Sequence, residues 1–146
     1  MRALLLGVLL LGAAQAAGQA PERHGATDTF AGDGVFIAWA IMRGVDEART
    51  QVRLRVLADP ARYARFTVHG VDPFSKDQAQ LVAPRAAPAT VGIPRTRFAD
   101  LPRTEVRFVS ADGQPVLVVY YLSVPDTTPE FNSEQELQRY LESRGK

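Results

Sequence analysis

The side chains best able to do chemistry in this 146-residue chain are few and scattered. His69 and Asp72 lie close enough in sequence to invite a general-base or metal-ligand reading, and Ser110, Ser123 and Ser133 are the hydroxyls that a hydrolase built on His69 would draw on. A general base needs a nucleophile or a bound metal within hydrogen-bond reach. The residues next to His69 supply neither, and serines at strand ends and helix caps have structural uses of their own. The sequence contains no G-x-S-x-G, H-E-x-x-H, P-loop, Rossmann or EF-hand pattern, and no cysteine.

Carboxylates offer a second chemistry. Asp46 and Glu47, with Asp72 or Asp126, would make a calcium site if their loops met at one end of the fold. Arg43 and Arg49 flank the same pair, so local ion pairing is the simpler use of these charges. The loop RGVDEAR, with Arg43, Asp46, Glu47 and Arg49, is the densest charged loop of the chain and the first candidate for contact with a protein partner. No catalytic residue, metal or cofactor is assigned. His24 stands alone in a polar stretch and reads as a solvated residue, Arg53 and Arg55 read as the wet face of a strand, and Trp39 reads as a core anchor.

The first residues carry an address. Arg2 is followed by an apolar run from Ala3 to Ala14, and Ala14-Gln15-Ala16 supplies small residues where a signal peptidase reads. That run of 12 residues falls short of the roughly 20 needed to span a bilayer. The expectation is a secretory signal peptide over residues 1–16, a flexible leader over 17–32, and one domain over 33–146. Such a protein is periplasmic or extracellular, with no membrane span in the mature form. Without Arg2 the 17 basic side chains become 16, equal to the 16 acidic ones, whereas a nucleic-acid binder normally shows a basic surplus. The expected partner is an unidentified protein. With no cysteine there are no disulfides, so burial of apolar surface must stabilise the domain.

The elements that would position these groups read mainly as strands. Residues 34–42, GVFIAWAIM, form an apolar run with a bulky face (Val35, Ile37, Trp39, Ile41) and a face containing Ala38 and Ala40, which would let another element approach closely. Residues 51–57 and 64–71 alternate, and Asp59-Pro60 and Asp72-Pro73 end them. Residues 79–83 read as a short strand, and the proline-rich stretch after Ala83 as irregular or an edge.

Thr104 to Val124 reads as a β-hairpin around Asp112-Gly113, with a second arm so apolar that both its faces should be covered and Tyr120 and Tyr121 should point to opposite layers. Ser133 and Glu136 form a capping box for a final helix, whose Leu137, Tyr140 and Leu141 are expected to dock on the sheet carrying the hairpin. The fold expected is an immunoglobulin-like antiparallel β-sandwich of about seven short strands with one C-terminal α-helix. The alternative is an α+β sheet capped by that helix. The function expected is an exported, non-catalytic binding or accessory module acting by protein contact. Its rivals are a small hydrolase or metal-dependent protein using His69 with nearby carboxylates, and a structural envelope or appendage subunit.

Overall fold

The computed structural model describes residues 20–98, 101–122 and 128–145. The expected signal peptide and its cleavage site lie outside the described residues, as do Ser123 and Asp126. In chain order the described elements are β1 (Glu22–His24), β2 (Thr29–Gly32), β3 (Val35–Met42), β4 (Gln51–Ala58), β5 (Arg65–Val71), β6 (Gln78–Arg85), β7 (Ala89–Pro94), β8 (Arg103–Val109), β9 (Pro115–Leu122), β10 (Glu130–Phe131) and the helix α1 (Glu134–Arg144). Single 3-10 turns cover Glu47–Arg49 and Arg95–Phe98.

The strands form two sheets, so the alternative of one sheet capped by a helix is not what the chain adopts. One sheet runs β1-β9-β8-β5-β6 and the other β10-β3-β4-β7, with β2 also paired to β3. β2 lies antiparallel to the first half of β3, with Thr29 opposite Ala38, and β10 lies parallel to its last residues, with Glu130 opposite Ile41. Ten strands replace the seven expected, and the three additions are β1, β2 and β10, of 3, 4 and 2 residues. Segments this short carry no readable alternation. The leader expected over residues 17–32 is therefore tied into both sheets from Glu22 onward.

Side-chain alternation places the core. Ile37 and Trp39 of β3, Val52, Leu54 and Val56 of β4, and Val91 and Ile93 of β7 meet Phe66, Val68, Val106, Phe108, Leu117, Val119 and Tyr121 of the other sheet. The opposite face of β3 forms a second cluster, in which Ala38 and Ala40 lie under Leu137 and Leu141 of α1 with Phe131 and Tyr140 beside them. The alanines do what their size predicts and admit a third layer.

Two expectations about the hairpin are overturned here. The helix docks on the outer face of β3, not on the hairpin's sheet, because the two alanines leave room for a leucine stripe. The strand covered on both faces is likewise β3 and not β9, which lies between β1 and β8 and keeps Leu122 66% exposed. Branched and aromatic residues suit a half-buried pleated surface as well as a fully buried one. Tyr121 does point into the core and Tyr120 out of it.

Local turn chemistry behaves as expected. At the β8–β9 connection Gly113 has φ +83° and its N–H donates to the Ser110 carbonyl at 2.9 Å. Ser133 caps α1 by accepting the Glu136 N–H at 3.4 Å. Between β2 and β3, Asp33 (φ +53°) and Gly34 (φ +80°) form a two-residue hairpin turn of the kind that needs positive φ at both positions. The proline-rich stretch forms an edge, one of the two forms expected: β7 pairs with β4 over Ala89–Pro94 and ends its sheet, after a cis Ala87-Pro88 bond.

Candidate functional site

His69 sits on the outward face of β5, in a row that crosses all five strands: His24, Tyr120, Glu105, His69 and Gln80. Its Nε2 is 2.9 Å from the Thr67 hydroxyl. Burial, followed by the positive charge of Arg107, holds the imidazole below its ordinary pKa, with Glu105 opposing. A hydroxyl, an imidazole and a carboxylate thus share one patch. They do not form a relay, because Glu105 accepts from Arg103 Nε at 2.7 Å and from Arg107 Nε at 2.8 Å, which leaves it clamped between two guanidinium groups. Asp72 turns away: its Oδ1 accepts the Phe74 N–H at 2.9 Å, which lowers its pKa. Ser110 binds Asp112 and Gln114 inside the hairpin turn, and Ser133 caps α1.

The same face holds Tyr120, stacked by His24 from the β1 side at 5.0 Å and approached by the Arg103 guanidinium from the β8 side at 4.0 Å. His24 is thus exposed, as expected, but stacked on Tyr120 from β1. With Arg103 also reaching Glu22 and Arg107 reaching Gln78, the face is a chain of mutually engaged charges. A ring already contacted by two side chains offers little for a ligand to stack on. Arg53, read from sequence as solvated, is only 17% exposed in its side chain and bonds Glu134 at the start of α1, lowering that carboxyl's pKa.

The candidate contact residues lie together on the β3–β4 loop, each with a partner. Arg43 pairs with Glu130 at 3.1 Å, Asp46 with Arg49 at 2.6 Å, and Glu47 with Arg95 at 3.2 Å. Asp46 also caps the 3-10 turn by accepting the Arg49 N–H, while the buried Thr50 hydroxyl accepts from the Gly44 N–H and donates to the Asp46 carbonyl. The loop is therefore fixed in shape. At its tip Val45 is 88% exposed.

Strand directions put this loop at the same end of the sandwich as the β5–β6 loop, the turn after β7 and the end of β9. Phe74, 92% exposed, and Leu122 lie at that end too. Among the described residues no group of three or more His, Asp or Glu side chains is arranged to hold a metal, and no helix is long and apolar enough to cross a membrane. The calcium reading thus gains no support, since Asp46, Glu47 and Asp72 have the partners already named.

No family model, curated protein or solved structure matches the chain. Its chemistry must be read from its own surface.

That surface has one more feature. An open groove of about 430 Å³ runs between β6 and β7, the facing edges of the two sheets, lined by Leu81, Val82, Ala83, Pro84, Arg85, Val91 and Gly92. Sequence alone does not reveal it, because the strand read over residues 79–83 and the proline-rich stretch that forms β7 belong to different sheets and meet only in the fold. Nor does it reveal that Val45, Phe74 and Leu122, 29 or more positions apart in sequence, lie at one end of the fold.

Proposed function

We propose that the chain is an exported, non-catalytic binding or accessory module that holds a protein partner on the loops at one end of its sandwich. The observation that carries this reading is the placement of Val45, Phe74 and Leu122, the exposed large apolar side chains among the described residues, at the end formed by the Arg43–Arg49 loop and its neighbours. Exposed apolar groups rimmed by charge are characteristic of contact surfaces. A loop already held by its cap and ion pairs loses little further freedom on binding. Arg43, Asp46, Glu47 and Arg49 would form the polar rim.

An immunoglobulin-like scaffold suits such a role, because it presents loops from a rigid core. Supporting that reading, β3-β4-β7 face β9-β8-β5-β6, with hairpins β3–β4, β5–β6 and β8–β9 and crossings between the sheets after β4, β6 and β7. Export to the periplasm or the extracellular space rests on the Arg2 and Ala3–Ala14 pattern with its small-residue cleavage site. The even balance of charge favours a protein partner over nucleic acid.

The test is site-specific photocrosslinking in the native envelope from positions 45 and 74, with position 112 at the opposite end as control. The expected result is one shared partner captured from 45 and 74 and not from 112. Capture of the same protein from 112, or of nothing from 45 and 74, would overturn the assignment. Turnover by the purified protein that His69→Ala abolishes would replace it with the hydrolase reading.

A further inference from the structure

β6 is the longest strand edge left open among the described residues: it pairs with β5 on one side and ends its sheet on the other. An open edge presents backbone N–H and C=O groups to any extended chain that can align with it. Proteins usually guard such an edge with lysine, inward-pointing charge or proline. Along β6 the only proline is Pro84 and the only charge is Arg85, both at its last two positions, so Gln78–Ala83 carries neither charge nor proline. The ladder to β5 shifts register twice along β6, which carries one extra residue between Gln80 and Val82 and another between Val82 and Arg85.

The space beside this edge is shaped for side chains. The groove between β6 and β7 is open to solvent and floored by the buried Val82 and Val91, with Leu81 and Ala83 at its wall. A strand added to β6 would place alternate side chains over this apolar seam, because successive side chains point to opposite faces.

The charge around the seam selects the occupant. From Gln78 to Phe98 the chain contains Arg85, Arg95 and Arg97 and no aspartate or glutamate. Arg95 pairs with Glu47, whereas Arg85, which lines the groove, is exposed and has no ion partner among the described residues. A basic segment would meet uncompensated like charge there. We infer that β6 receives an extended acidic segment of a partner protein, which adds as a further strand along Gln78–Ala83 with its apolar side chains over the seam. This surface is separate from the end loops carrying Val45 and Phe74, and the inference does not depend on contact there.

The probe is an acetylated, amidated octapeptide of alternating valine and glutamate, added at millimolar concentration to the isotope-labelled protein and followed by amide chemical shifts and hydrogen exchange. Saturable shifts and slowed exchange are expected at Gln78–Ala83. Binding should weaken about tenfold with Arg85→Glu, and it should be lost when alternate peptide nitrogens of the probe are methylated. The fold of Arg85→Glu is checked by its unchanged melting temperature, as expected for an exposed side chain.

A valine–lysine peptide that binds equally well would refute the charge argument. The inference fails outright if there is no saturable response, if the response centres on the Val45 and Phe74 loops, or if Gln78–Ala83 gains protection with protein concentration alone. The last outcome would assign the edge to a second copy of the chain.

Discussion

Replacing Tyr121 by phenylalanine is expected to leave the protein at least as stable as it was, against the usual cost of altering a fully buried side chain. Tyr121 has no solvent exposure, and its hydroxyl finds no hydrogen-bond partner. Trp39 packs edge-on against its ring, with centroids 5.2 Å apart, and the two polar atoms influence each other; yet the indole Nε1 and the hydroxyl both fall short of a hydrogen bond. Thr104, opposite Tyr121 in the register, contributes a third unpartnered polar atom, its hydroxyl oxygen. Burial drives the Tyr121 phenol pKa far above its ordinary value, which reflects the same poverty of polar contacts.

An unpartnered buried polar group costs roughly 1–3 kcal/mol, and losing one oxygen forfeits a few tenths of a kcal/mol in dispersion contacts. The net expectation for Tyr121→Phe is a gain of about 1 kcal/mol, and Thr104→Val should behave alike. With a urea m-value of about 2 kcal/mol/M, the midpoint would rise by about 0.5 M. Urea titration followed by far-UV circular dichroism measures this directly. A loss of about 1 kcal/mol or more in Tyr121→Phe would refute the reasoning, because it would mean that the hydroxyl is engaged by Trp39 or by a bridging water.

Two further outcomes follow from the packing and the titrating groups. Leu141→Ala should cost about 2–5 kcal/mol, because Leu141 is fully buried over Ala38 and Ala40; a cost under about 0.5 kcal/mol in the same titration would mean that α1 is not docked on β3. Stability should fall above about pH 10, since burial and the hydrogen bond to Asp28 raise the Tyr140 phenol to about 12 and burial raises Tyr63 and Tyr121 as well. In that window the unfolded chain has released protons that the native one still holds. The contribution is therefore complete below about pH 10 and disappears as pH climbs through about 12. Urea titrations at about pH 9 and pH 11 should show a smaller drop for Tyr140→Phe than for the unaltered protein.

Much of the scaffold is legible in the residues because its signals are local. The alternation of Val52, Leu54 and Val56 with Arg53 and Arg55 marks β4, Asp112-Gly113 marks the β8–β9 turn, and Ser133 with Glu136 marks the start of α1. Asp33-Gly34 carries an equally strong turn signal, but the four residues of β2 before it are too few to show a period. The candidate site was legible only in part. The charges of the Arg43–Arg49 loop can be read directly, but their pairing with Glu130 and Arg95 depends on residues at least 46 positions further along. The engagement of His24 with Tyr120 depends on a parallel pairing between strands 96 positions apart.

By itself the sequence determined that the chain builds a β-rich fold with a capped helix at its end, because periodicity, turns and caps are set by residues a few positions apart. Tertiary structure decided which face the helix covers, which strand is enclosed on both sides and which strand edges stay open. These depend on how layers compete for the same apolar surfaces. Ala38 and Ala40 show the division: their small size is visible in the sequence, and that the space above them belongs to Leu137 and Leu141 is settled only by the fold.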